Sequence, residues 1–200
     1  MSFDIGVGIV ALVVALTLLF RSMVLKSRYS GIEAAVLFMR RLDIFDFEQI
    51  LDPAAEWSLR RVREREFRRL QRQRMRLCAE YLARVAHNAE VVQGWSNRDH
   101  SEAYERQRNP ADEKTYLLWQ LAKTATEVRL FALITRLEVG VWLLLRLDLL
   151  PLSLVPRLDK VRTMGGADLL ITYRNMIDLA KTVSHYYGPD WSEKLNASLG

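Results

Sequence analysis

The feature that most limits what this chain can become is the uncharged run Ile5–Phe20, IGVGIVALVVALTLLF, with Asp4 before it and Arg21, Lys26 and Arg28 after it. Water solvates such a segment poorly, whereas a helix satisfies all its own backbone donors and acceptors inside lipid. At a rise of about 1.5 Å per residue the run spans roughly 24 Å. A hydrocarbon core is about 30 Å thick. Phe3 on one side and Met23, Val24 and Leu25 on the other extend the segment, and Arg21 can carry its charge to the interface on its long stem. Ile5, Val10, Leu12, Val14, Leu18 and Phe20 are therefore read as a membrane anchor. A cleaved signal peptide would start basic and end at a small-residue site, and a transit peptide would be rich in Arg and poor in acids. The start Met1-Ser2-Phe3-Asp4 fits neither. The rival reading is a buried helix of a soluble core.

The basic residues orient the anchor. No Lys or Arg precedes the run, while Arg21, Lys26, Arg28, Arg40 and Arg41 follow it. This places the N-terminus outside and the bulk of the chain in the cytoplasm, or on the matrix side of a mitochondrial inner membrane. A second apolar stretch, Leu130–Leu150, contains Arg136, Glu138, Arg146 and Asp148, with Arg129 at its edge. Each such charge at mid-bilayer costs about 2.5–3.5 kcal/mol. The stretch is expected as the central core helix of the folded part. The alternative is a helix resting in the interface with Trp142 among the headgroups.

Half of the chain is hydrophobic and 26% charged, a balance that argues for a folded domain rather than disorder. The net charge of +5 is too small to imply nucleic acid by itself. Cys78 is the single cysteine, so no intrachain disulfide can form, which fits a reducing compartment. The sequon Asn196-Ala197-Ser198 faces away from the glycosylation machinery in the expected orientation.

No strand-like alternation stands out, and the prolines fall between periodic segments. The fold expected is all-α: a transmembrane helix and basic flank over 1–29, a bundle of about three to four main helices over 30–188, and a tail over 189–200 that is loose except where Trp191 can dock. Ser30-Gly31-Ile32-Glu33 reads as a capping box opening a short helix to about Leu42. Asp43 and Asp46 suit a brief helix, IFDFEQIL, and Asp52-Pro53 opens a long one running to about Val92. Its expected core face is Leu59, Val62, Phe67, Leu70, Leu77, Tyr81, Val85, Ala89 and Val92, with Gly94 ending it and a polar linker with room for some helix following. Asn109-Pro110 opens the next helix, buried through Leu117, Leu121, Ala125, Val128, Phe131, Leu145 and Leu149. Gly140 is expected to bend that helix or admit a close neighbour, and Pro151 to stop it. A short helical turn leads to Gly165-Gly166, and a last helix spans about Ala167 to Tyr187 before Gly188-Pro189.

The most chemically loaded segment is Trp57–Arg76, with nine arginines against Glu64 and Glu66. Arg61, Arg65, Arg68, Arg72 and Arg76 recur at helical spacing, with Arg69 bordering them. A row of guanidinium groups suits phosphates or an acidic protein face, and near an anionic leaflet each cation gains about 1 kcal/mol. The competing reading is a solvated face paired with acids on a neighbouring helix. Aromatic residues are sparse there, so nucleic acid ranks below lipid or protein.

No cofactor or metal is expected. Neither Glu-x-x-His, H-E-x-x-H, paired C-x-x-C, Walker A nor G-x-S-x-G occurs. His185 is read as a helix-end residue, Asp99-His100 as a pair without a triad, and Cys78 as buried and structural. The balance is against an enzyme. The leading expectation is a membrane-anchored helical scaffold within a larger assembly, with the bilayer and other protein subunits as partners and Trp57, Trp95 and Trp191 as interface aromatics. The alternatives are a peripheral binder of anionic lipid or RNA through the Arg face, and an enzyme with a site between helices.

Overall fold

The computed structural model describes Thr17 and residues 31–61, 63–106, 113–144, 151, 154–164 and 167–199. Among them the fold is a helical bundle. The proposed anchor residues Ile5, Val10, Leu12, Val14, Leu18 and Phe20 lie outside the described residues. Within those residues, no helix is long and apolar enough to cross a membrane.

The chain enters through α1 (Ile32–Phe38). Its N-cap position is Gly31 at φ 101°, and Ser30, the hydroxyl of the expected capping box, lies outside the described residues. The helix also stops short of Leu42, because the next strand of backbone is claimed elsewhere: Asn88 pairs with both the N–H and the carbonyl of Arg40 at 2.8 Å. α2 (Ile44–Leu51) forms as read, with the Asp43 carboxylate accepting from Asp46 N at 3.1 Å. α3 (Pro53–Leu59) begins as read too, capped by Asp52 on Ala54 N at 2.9 Å.

The long helix expected from Pro53 is instead two helices, the first ending at Leu59 and the next beginning at Glu64. No breaker residue is present. The turn instead lets α3 fold back and bury Glu56, whose carboxylate accepts from Leu158 N at 3.1 Å beside Arg60 at 3.4 Å and Arg74 at 3.9 Å. A buried charge must be paired, and that demand outweighs helix propensity.

α4 (Glu64–Arg106) then runs 43 residues without interruption, roughly 65 Å at 1.5 Å per residue. Gly94 does not end it, and the expected linker is helical to Arg106. A mid-helix glycine costs about 1 kcal/mol relative to Ala. Burial of the adjacent Trp95 and Ser96 offsets that cost. The buried stripe is Phe67, Gln71, Met75, Cys78, Leu82, Val85, Ala89, Val92 and Ser96. Leu70 and Leu77, assigned to the core by sequence, stand off this stripe and are exposed. Their places are taken by residues with a different bonding need, such as Gln71, which donates to Pro156 O at 2.9 Å.

α5 (Glu113–Leu144) returns antiparallel to α4. Tyr187 touches Asp99 on α4 and Lys114 at the start of α5, while Arg129, further along α5, reaches back to Glu90. Leu118, Leu121, Ala125, Val128, Ala132 and Val139 face the core. Gly140 is not a point of close approach, since a Cβ there would meet nothing within 4 Å. Val62, Asn109-Pro110, Leu145 and Leu149 lie outside the described residues.

A 3-10 turn (Leu158–Arg162) leads to a small antiparallel ladder, β1 (Thr163–Met164) with β2 (Ala167–Asp168). This was not expected from the sequence, although Gly165-Gly166 is a two-residue hairpin signature. α6 (Leu169–Ser184) starts two residues later than expected, where Asp168 caps Leu170 N at 2.8 Å and Ile171 N at 3.3 Å. The segment read as a loose tail is a helix, α7 (Pro189–Leu199), turned back by Gly188 at φ 118°. It packs on α1 and α6, with Leu195 fully buried and Trp191 against the core. Leu195→Ala should therefore cost about 2–5 kcal/mol in a denaturant melt. A change below about 0.5 kcal/mol is what a solvated tail would give.

Candidate functional site

Two outward faces and one groove are the surfaces on which function could rest. The first face belongs to α4. Arg65, Arg69, Arg72 and Arg76 recur at four, three and four residues and line, with Gln73, a shallow depression of about 290 Å³. On a helix this row lies opposite Phe67, Cys78 and Val85. Among the described residues Arg65, Arg69 and Arg76 have no carboxylate partner. The row differs from the one read in the sequence. Arg69 is central to it, not marginal. Arg61 belongs to the turn after α3, where its N–H bonds Ser58 O at 3.2 Å. Arg68 turns to Glu64 one turn back and is mostly covered. The expected alignment assumed an unbroken helix before Glu64, and the break removes Arg61 from it.

The second face belongs to α5. Leu130, Leu137, Val141 and Leu144 are 42%, 46%, 56% and 85% exposed, with half-buried Ile134 between them. Their spacing of four, three, four and three places them in one stripe, the a/d repeat of helix pairing. Toward its N-terminal end the same face carries the stacked, exposed pair Tyr116–Trp119, then Lys123 and Glu127. No described element covers this stripe. The sequence did not separate these residues from the core, because the helix is apolar on both sides and periodicity alone cannot tell them apart.

The groove lies between α5 and α6, about 770 Å³ in volume, lined by Trp119, Lys123, Glu127, Asn175 and Asp178 among others. Its threonines are spent on their own helices: Thr124 donates to Gln120 O, Thr172 to Asp168 O and Thr182 to Asp178 O. None of its lining side chains is buried. It lacks the convergent, desolvated polar groups that orient a small ligand.

Inside the bundle the polar groups are committed to one another. Arg129 donates to Gln93 at 2.9 Å and faces Glu90 at 3.7 Å, and Gln93 donates to Thr126 at 2.8 Å. Asn88 donates to the Tyr173 hydroxyl at 2.9 Å. Asp99 accepts from Trp95 at 2.8 Å and from Tyr187, so it does not orient His100. His185 spends Nδ1 on Lys181 O at 2.7 Å, as a helix-end residue does. No buried side-chain oxygen or nitrogen among the described residues lacks a partner. Nor do they contain a group of three His, Cys, Asp or Glu able to hold a metal. Burial pushes the Cys78 thiol up to about 12 against the nearby Arg74, which removes its nucleophilic form at neutral pH.

The three tryptophans separate. Trp57 is exposed on α3, Trp191 is partly buried under Lys194 at 4.4 Å, and Trp95 is a core residue with Tyr187 edge-on at 5.9 Å. Trp95 is thus a core side chain and not the interface aromatic read from the sequence, its burial following from the continuation of α4 through Gly94. No family model, curated protein or solved structure matches the chain.

Tyr173 offers a test of the buried network. Burial raises its phenol from 10.0 to about 12, with the Asn88 hydrogen bond opposing. Below 10 both folded and unfolded chains hold the proton. Between 10 and about 12 the unfolded chain ionises first, so stability falls as pH rises. Tyr173→Phe should flatten that fall in urea melts across this range. An unchanged slope would mean the phenol is not held neutral by the fold.

Proposed function

We propose that the chain is a non-enzymatic, membrane-anchored helical subunit that docks onto another protein of a larger assembly through the outward face of α5. The observation that carries this reading is the Leu130–Ile134–Leu137–Val141–Leu144 stripe, apolar, exposed and at helix-pairing register. Burying one Leu or Val fully is worth about 1.5–3 kcal/mol. The four exposed side chains, three about half covered and Leu144 almost bare, thus hold on the order of 3–7 kcal/mol for a partner helix. The committed interior network and the solvent-facing groove support a binding role over a catalytic one. The run Ile5–Phe20 would hold the domain at the bilayer, with the N-terminus outside and the domain on the cytoplasmic or matrix side.

Leu137→Glu with Val141→Glu places two carboxylates on the stripe and touches no core residue. After gentle solubilisation the wild-type chain should elute in a complex well above its own 23.2 kDa. The double variant should elute alone while keeping its helical circular dichroism. Elution of both as monomers would contradict the reading.

A further inference from the structure

We propose that Arg65, Arg69, Arg72 and Arg76 form a headgroup site that lays the first third of α4 along an anionic leaflet, binding the phosphates of acidic lipids. This rests on the reading that Ile5–Phe20 holds the chain at a bilayer.

Four observations select this ligand. The row is a shallow, open depression along one helix face, roughly 17 Å long from Arg65 to Arg76 at 1.5 Å per residue. Such a shape meets several phosphates of a flat surface, where a single soluble phosphate would need a deep, enclosing cradle. Second, Arg65, Arg69 and Arg76 have no carboxylate partner among the described residues, and two acids nearby pair with other arginines: Glu64 with Arg68, and Glu80 with Arg84 at 2.6 Å. Glu66 is the exposed acid beside the row, one against four. Third, the depression is lined by four arginines and Gln73, with no aromatic ring between them. Binding of single-stranded nucleic acid would want rings for base stacking. Fourth, exposed Leu70 and Leu77 lie on the shoulder between the Arg row and the buried stripe. Apolar residues bordering a basic face are what an interfacial helix presents to the boundary between headgroups and acyl chains. The face-on array of guanidinium groups then supplies forked donors to phosphate oxygens.

The test uses the full chain carrying Gln73→Cys, labelled with a fluorophore at that exposed position while buried Cys78 stays unreacted. It is reconstituted in nanodiscs of phosphatidylcholine, alone or mixed with phosphatidylglycerol, each doped with a headgroup-nitroxide lipid as quencher. Quenching should be several-fold greater in the phosphatidylglycerol discs. It should fall to the neutral-disc level at about 1 M salt, where the screening length is near 3 Å. Arg65→Glu, Arg69→Glu and Arg76→Glu together should abolish the difference with helical content unchanged. Equal quenching in both discs, or quenching that survives charge reversal, overturns the proposal. So does quenching that added RNA relieves without releasing the protein from the disc, which would assign the face to nucleic acid. A chain that enters the discs but shows no quenching loses the headgroup site alone. A chain that fails to enter either disc loses the anchor, and the headgroup site with it.

Discussion

The buried contact between Arg129 and its partners on α4 fixes the rest of the bundle. A guanidinium inside a core is tolerated only when its charge and its donors are met, and here Gln93, Glu90 and, through Gln93, Thr126 share that task. A shift of α5 by one turn would strand the charge. The network thus sets the register of the two longest helices. With that register set, Tyr187 can meet Asp99 and Lys114 together, and the outward faces of both helices are decided. Such a network specifies alignment more than it adds stability.

A second set of polar contacts ties the short elements to this pair. Asn88 holds the backbone at Arg40 and the Tyr173 hydroxyl, linking the segment after α1, the middle of α4, and α6. Glu56 joins α3, the first third of α4 and the connection before β1. Both of these buried polar side chains bridge elements far apart in sequence. The bundle's outside is then free to differ from place to place: basic on early α4, apolar on late α5, polar over the groove with α6.

The sequence made some of this legible and hid the rest for identifiable reasons. The caps at Asp43 and Asp52 and the stop at Gly188 were readable because they depend on neighbouring residues alone. The break after Leu59 and the continuation through Gly94 were not, since both follow from distant partners: Leu158 for Glu56, and the core around Trp95. Arg129 gave no sign of its burial, because its partners sit on another helix. Periodicity placed Leu121, Ala125, Val128 and Phe131 of α5 inward, as they are, but did not mark the apolar stripe on its other side as exposed. The Arg face was visible as composition, and its correct members emerged once the start of α4 at Glu64 was known. The helical tail α7 was missed because one i,i+4 apolar pair, Trp191 and Leu195, is too short a pattern to mark a helix.

The central claim is that late α5 is a protein-docking face. Site-specific photo-crosslinking in intact membranes tests it most directly, with a photoreactive residue placed at Val141 in one protein and at the opposite-facing, buried Val139 in another. The account predicts one discrete higher-mass adduct from position 141 and none but internal products from position 139. Adducts to lipid alone from position 141, or no adduct at all, would contradict it.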